Sequence, residues 1–455
     1  MLFWAAMATN SLPIAPTPGL TRPAAGRALP VTGQVLPSFP LVGSHFALGF
    51  AWALAGAVGL ARLAPALASG SFLDPRLLAL THLFTLGFLT TVITGVLYQI
   101  FPAMLGVGER SRGVAWAALA LHVAGTALLA GGLLLGQRYL QSAGWSVLFA
   151  AVFGTAWNLL PQRRKAPRNR QLGLYVSYAH MGFGFAMFVA GARIGDALGW
   201  WTTPRLGLIS AHLHLALGGF VTMTAFGLGS RMIPMFYGSA RPIPAALDRQ
   251  LPRLLGTAVV LYALGAAMDL RALAWLGSGL MAAAAALFCY LGVGWFRSRA
   301  RRALDPATGL LTLALVALAT AIPLGLAAAA SGMRRPSLLV AYVLTLLLGW
   351  AGALVLGVSF RVLPTLTWHH RFAARMGRPG TPPMPVMLHR GLGVTAAVSG
   401  ALGVAALVTG VGAGSLPATR AGAGLYTLAI TATILHHVRM LLIGRARPAA
   451  PGDPT

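Results

Sequence analysis

Three histidines, His82, His212 and His214, carry the clearest chemical signal in the sequence. All three lie inside long apolar runs, where a polar side chain is costly and usually has a function. A neutral imidazole is a common metal ligand, and haem iron, which already has four porphyrin nitrogens, accepts two more ligands from opposite faces. Histidines on different apolar helices therefore predict a haem between those helices. The alternative for any single one of them is a hydrogen bond between helices.

His212 and His214 are two residues apart, which on an α-helix means about 200° of rotation, so their rings point to opposite sides of one helix. That helix can supply one imidazole to each of two neighbouring sites. We expect His82 and His214 to bind one haem b, because they hold matching positions in an internal repeat, and His212 to face a pocket for copper or a second haem. Whether His82 pairs with His214 or with His212 stays open at this stage.

Two arginines and two further histidines extend this candidate site. Arg76 and Arg205 lie six residues before His82 and seven before His212, where they can reach haem propionates, although a role as ordinary loop arginines is equally consistent with the sequence. His45 and His180 form another repeat-related pair and are a candidate second metal site. A repeat also inherits histidines that no longer have a use, so packing is the alternative for this pair.

The other histidines favour structural roles. Five of them fall near helix ends or in a loop: His369, His370, His389, His436 and His437. We expect solvated side chains there, with a metal or quinone-headgroup site as the alternative. His122 is a lone histidine for which packing is expected. Arg231 and Arg361 are too far along their helices from the histidines to hold propionates, about 25 Å in the first case, so we expect them to reach lipid headgroups.

Composition identifies the class of protein. The chain has 455 residues, of which 57% are hydrophobic and only 9% charged, with 34 basic and 7 acidic residues. A soluble domain carries about 25% charged residues, so this chain predicts an all-α polytopic membrane protein. Twelve apolar runs are long enough to span a bilayer, which takes roughly 20 residues each. The scarcity of carboxylates disfavours a carboxylate-driven proton pump, and the single cysteine excludes a disulfide framework.

An internal repeat organises the spans. In the second and sixth spans a histidine, His82 or His214, precedes a glycine by 13 residues and a proline by 20, and in the tenth span Leu344 takes the histidine's position. We therefore predict three pseudo-symmetric four-helix units. The predicted parts are a flexible leader (1–40), the units (41–170, 171–304 and 305–444) and a short tail (445–455).

Charge predicts the orientation. Most of the 34 basic residues fall in alternate loops that share one side with both termini, and the positive-inside rule places that side in the cytoplasm. We expect a bacterial inner membrane protein whose cytoplasmic face meets anionic lipid headgroups. The arginines are scattered rather than gathered on one face, which disfavours nucleic acid as a partner.

Two stretches resemble helices of subunit I of the haem-copper oxidases. The stretch 211–238, with His212 and His214, is similar to the family's His-x-His helix, and the stretch 81–106, with His82, is similar to its second helix, whose histidine binds the low-spin haem. Twelve spans and an inside N-terminus also fit that family. The resemblance implies a b-type haem protein with a redox partner such as cytochrome c or quinol.

The departures from that family bear on function. Its His-x-His helix is the tenth, whereas here it is the sixth. The seventh span, 251–269, lacks the adjacent histidine pair that the family uses for copper. The resemblance therefore implies a divergent member without the usual oxygen-reducing site, similar to the nitric-oxide-response membrane proteins.

We expect a haem protein acting in electron transfer, or in handling nitric oxide or another diatomic gas, rather than in proton-pumping oxygen reduction; whether it is an enzyme stays open. The alternative is a membrane transporter or cofactor-handling protein without haem redox chemistry, in which repeat units rock around a midplane site. Because the units all begin on the same side, they are parallel rather than inverted. A structural subunit that lost its chemistry is a third interpretation.

Overall fold

The computed structural model describes residues 37–167, 169–300, 302–331 and 334–443, without the side chain of Arg205. The predicted tail and almost all of the predicted leader lie outside the described residues.

Twelve helices long and apolar enough to cross a membrane make up the described chain, which confirms the predicted fold class. In chain order, α1 to α12 are Phe39–Arg62, Pro75–Leu105, Arg112–Leu134, Arg138–Lys165, Arg170–Ala197, Leu206–Tyr237, Ala245–Ala267, Arg271–Arg297, Pro306–Ser331, Pro336–Arg375, Arg390–Gly412 and Leu416–Leu442. Short connections make successive helices antiparallel. Residues 369 and 370 belong to α10, so the prediction of a loop there is wrong.

The helix starts follow from local sequence. The Asp74 side chain accepts a hydrogen bond from the backbone of Arg76 and is followed by Pro75 at the first position of α2. Ser111 and Ser415 cap α3 and α12 in the same way. Such caps satisfy backbone N–H groups that the first helical turn leaves free.

Three helices share one irregularity. A π-helical segment of eight residues starts directly after His82, His214 and Leu344, at Leu83–Thr90, Leu215–Thr222 and Thr345–Gly352. π-Helical turns are uncommon and often mark functional sites. Their shared register agrees with the internal repeat, while the division of the chain into three four-helix units stays a prediction.

The three helices with π-segments meet at the centre of the bundle. The π-segments of α2 and α6 both contact that of α10, and α2 and α10 are the most buried of the twelve helices. The other helices surround them as packed neighbours, with hairpins α3–α4, α7–α8 and α11–α12, and α12 packs against α1. The histidines of α2 and α6 therefore lie in the interior rather than at the lipid face.

Candidate haem site

His82 of α2 and His212 of α6 face each other. Their ring centroids are 6.3 Å apart and their planes differ by 30°. His214 lines a different cavity, so the structure brings His82 together with His212 and not with His214, against the pairing expected from the repeat. The rings of His212 and His214 thus lie toward different cavities, as their two-residue spacing predicts.

The spacing of these two rings suits one iron between them. Metal–imidazole bonds are about 2.0–2.1 Å long, and the ring centre lies about 1.1 Å behind the ligating nitrogen of a ring whose bonds are about 1.35 Å. Two imidazoles bound to opposite faces of one iron therefore have their centres about 6 to 6.5 Å apart. The observed separation of 6.3 Å falls in this interval.

The hydrogen bonds of the two rings leave the same nitrogen free. Nδ1 of His82 donates to the carbonyl of Leu78 at 2.7 Å, and Nδ1 of His212 donates to the carbonyl of Ala186 in α5 at 2.9 Å. A carbonyl only accepts, so each Nδ1 carries the proton and each Nε2 keeps its lone pair. Within the described part of the chain, neither Nε2 forms a hydrogen bond. Metal-binding histidines are oriented in this way, with the second nitrogen donating to a backbone carbonyl.

Both rings line one cavity, the haem cavity, which is partly open to the outside and has about 1070 Å³ of empty space when its open part is counted. Its walls come from α1, α2, α6 and α10 and from the short segment after α1, and they are almost wholly apolar, with Phe84, Leu213 and Leu348 among them. The hydroxyls of Thr81 and Thr85 in this wall are bonded to backbone carbonyls of α2. Cofactor sites are typically apolar cavities with a few polar groups placed to orient the ligand, and this one has two imidazoles.

A close approach of α5 to α6 places the carbonyl that orients His212. A Cβ built on Gly182 would lie 2.6 Å from the backbone of Gly219, so only glycine allows this contact. Ala186 follows Gly182 by one turn of α5. The contact therefore brings the Ala186 carbonyl within reach of Nδ1 of His212.

Gly182→Ala is expected to push α5 from α6 and to weaken the bond between Ala186 and His212. Retention of a haem bound by His212 should then fall roughly 10- to 100-fold, as for outer-shell partners of metal ligands. Haem retained after purification measures the effect. Gly184→Ala is the matched control, because its Cβ would meet only Phe153 at an ordinary 3.7 Å. Equal retention in the two variants would contradict this role for the glycine contact.

His214 lies in a second cavity of about 1060 Å³, the His214 cavity, between α6, α7, α8, α9 and α10. Its Nδ1 donates to the carbonyl of Ser210 at 2.9 Å, and its ring packs 4.0 Å from that of Tyr262. The ring of Tyr342 lies opposite, with centroids 6.1 Å apart and planes 26° apart. The sequence analysis missed both tyrosines. Tyr342 could have been found, because it precedes Leu344 by two residues just as His212 precedes His214.

The predicted propionate arginines lie at the same end of α2 and α6 as His82 and His212. The Arg76 guanidinium pairs with Asp74 at 2.7 Å and is 60% exposed. Hydrogen bonds from the Arg76 side chain and backbone hold the pKa of the Asp74 carboxyl below its usual range. Arg76 is thus already bound to a carboxylate and is not part of the haem cavity wall, and the side chain of Arg205 lies outside the described residues.

His45 and His180 share a third cavity, of about 390 Å³, with His122. Nδ1 of His45 and of His180 each donate to a backbone carbonyl of their own helix, and Nε2 of His122 donates to the carbonyl of Leu86 in the first π-segment. The described residues contain no group of three or more His, Cys, Asp or Glu side chains arranged to hold a metal ion. His45 and His180 therefore share a cavity, as predicted for a pair, but they do not belong to such a metal-binding group.

Two of the histidines expected to be solvated are buried. His436 and His437 of α12 pack against Phe360 of α10, with ring centroids 4.6 and 5.6 Å away. His389 caps α11 through a bond from the backbone of Leu392. The expectation of solvated side chains is wrong for His436 and His437, because α12 packs against α10 and α1 where these two residues lie.

Arg231 and Arg361 bind carboxylates, which corrects the expectation that they reach lipid headgroups. Arg231 donates to both oxygens of Asp248, at 2.8 and 2.6 Å, and Arg361 pairs with Asp305. These carboxylates lie at or near the starts of α7 and α9, and the sequence alone does not show that those starts pack beside α6 and α10.

The chain matches no protein-family model and no curated protein.

Proposed function

We propose that this chain is an integral membrane b-type haem protein in which His82 and His212 bind one iron from opposite faces. The observation that carries this proposal is the pair of facing imidazoles, 6.3 Å apart, each with its proton on Nδ1 and its Nε2 free toward an apolar cavity. A bound haem would supply one-electron redox chemistry there, and two histidine ligands leave its iron no open position. Electron transfer is the function that follows.

The proposed haem is held without covalent links, as in b-type proteins. Attachment as in c-type proteins uses a Cys-x-x-Cys-His motif, and this sequence contains a single cysteine. The protein's role is then to hold, orient and shield the cofactor. The cavity wall is almost wholly apolar, and the two backbone carbonyls keep both imidazoles in the ligating tautomer.

The His214 cavity is the second part of this proposal. It matches the haem cavity in volume and offers one histidine, His214, whose proton also lies on Nδ1. Because the described residues form no three-ligand metal cluster, we favour a second haem over copper here. An iron held by one histidine can expose its other face to nitric oxide or another diatomic gas.

The proposed membrane and orientation are based on the distribution of charge. We place the protein in the bacterial inner membrane with both termini in the cytoplasm, its arginine-rich face against anionic headgroups. Cytochrome c or quinol is the class of redox partner we propose. Kinship with the haem-copper oxidases, and with the nitric-oxide-response membrane proteins, is proposed on the two helices that resemble that family.

A difference spectrum of the purified full-length protein tests the proposal. Dithionite-reduced minus oxidised spectra are expected to show the sharp α-band of a low-spin haem b, and pyridine extraction is expected to give two haems b per chain. Absence of an α-band from protein expressed with added haem precursor would overturn the proposal and favour the transporter alternative. One haem with an intact low-spin signal would retain the first site and reject the second.

A further inference from the structure

The two histidine cavities are related by the internal repeat. His82 and His214 hold one repeat position, and His212 and Tyr342 hold the position two residues before it in the next unit along. His82 faces His212 at 6.3 Å and 30°, and His214 faces Tyr342 at 6.1 Å and 26°. Tyr342 therefore holds, beside His214, the repeat position that His212 holds beside His82.

We propose that Tyr342 is the iron ligand opposite His214, which makes the second site a mixed imidazole–phenolate site. This inference rests on the second haem of the proposed function. Tyrosine is an established axial ligand of haem iron. The Tyr342 oxygen and His214 Nε2 would hold the iron; an oxygen–iron bond would replace the phenol O–H bond, the proton would pass to water, and no oxidation state would change.

The distance across the cavity supports direct ligation. Tyr342 Oη lies 3.4 Å from Nε2 of His214. Ligand atoms on opposite faces of one iron stand about 4 Å apart, because each metal–ligand bond is about 2.0 Å long. If Tyr342 Oη and His214 Nε2 moved apart by roughly half an ångström, the iron would fit between them. No room is left for a gas molecule between the iron and Oη in that arrangement. A gas that binds this iron must therefore displace Tyr342.

The other tyrosine of this cavity has a different role. Tyr262 Oη is hydrogen bonded to the hydroxyl of Ser210 at 2.6 Å, and the Tyr262 ring packs against the His214 imidazole. It positions the histidine from the side. Tyr342 Oη has His214 as its only hydrogen-bonding partner among the described residues, so ligation costs it no other bond.

The chemistry of the ligand sets the behaviour of the site. Phenolate carries a negative charge that an imidazole lacks, and its attraction to iron falls as the charge on the iron falls. Tyr342 would therefore hold ferric iron more tightly than ferrous iron. It would close the oxidised site to gas, and reduction would favour opening of the site.

Spectra of the full-length protein carrying haem b test this assignment. We expect ferric wild type to show phenolate–iron bands in resonance Raman spectra together with the low-spin signal of the His82–His212 site. Tyr342→Phe should abolish the phenolate bands and make one of the two haems high-spin, with the low-spin signal unchanged. Tyr342→His should give two bis-imidazole sites, because it recreates the His82–His212 arrangement.

Tyr262→Phe is the matched control and should keep the phenolate bands. Two haems with a ferric spectrum that Tyr342→Phe and Tyr342→His both leave unaltered would overturn the assignment of Tyr342 while leaving the proposed function intact. A single haem per chain, with content unaffected by His214→Ala, would instead reject the second haem itself. If Tyr342→Phe does not accumulate, Tyr342→His tests the assignment by itself. Loss of the phenolate bands with gain of a second bis-imidazole signal would support the assignment, and an unaltered ferric spectrum would overturn it.

Discussion

Replacing His212 with alanine is expected to abolish the low-spin bis-histidine signal and to remove about half of the bound haem. In the proposed site the substitution deletes one of two imidazoles whose ring centroids lie 6.3 Å apart, so the iron would lose its protein ligand on that face. His82→Ala should have the same effect, because the two ligands are equivalent. Electron paramagnetic resonance of the ferric protein, together with haem content per chain, measures the result.

His214→Ala and His122→Ala are the controls for this prediction. His214 belongs to the other cavity, so its loss should spare the low-spin signal and affect only the second haem. His122 is a buried histidine outside the haem cavity, and its ring is bonded to the Leu86 carbonyl. His122→Ala therefore shows how far the loss of any interior imidazole lowers haem content. A low-spin signal that survives His212→Ala but disappears in His214→Ala would show that His82 pairs with His214, as the repeat register predicts, and not with His212.

Asp248→Ala is expected to cost about 3 to 5 kcal/mol of folding stability, the range for leaving one partner of a buried ion pair alone. Arg231 donates to both carboxylate oxygens of Asp248, and the two side chains are only 13% and 14% exposed. The arginine that remains would be a nearly buried charge without its counterion. The free energy of unfolding in mixed detergent micelles measures the loss.

Glu109→Gln provides the comparison for Asp248→Ala. Glu109 is only 10% exposed, but its partner Arg112 is 70% exposed, so the arginine left behind would stay solvated and the loss should be at most about 1 kcal/mol. The double variant Arg231→Met with Asp248→Ala should recover much of the loss, since removing both charges leaves none unpaired. Equal stability of Asp248→Ala and Glu109→Gln would refute the importance assigned to the Arg231 pair.

The approximate span of each helix could be predicted, and candidate ligands could be chosen, because both depend on local properties. Apolar length specifies a bilayer-spanning helix, and a histidine within such a run is rarely without a function. The internal repeat also predicted that His82 of α2 and His214 of α6 hold corresponding positions. His45 and His180 were likewise matched by the repeat, and they share a cavity, but that His122 joins them depends on how α3 packs.

What the sequence by itself determined is how side chains on one helix lie relative to one another. Two residues of separation set His212 and His214 on opposite faces whatever surrounds them. The tertiary structure alone decided which of those faces meets His82, because that depends on the rotation of α6 about its own axis, and close packing of Gly182 against Gly219 sets that rotation. The same packing of helices distant in sequence brought Tyr342 opposite His214 and Asp248 beside Arg231. Contacts of this kind follow from how whole helices fill space together, which no local spacing encodes.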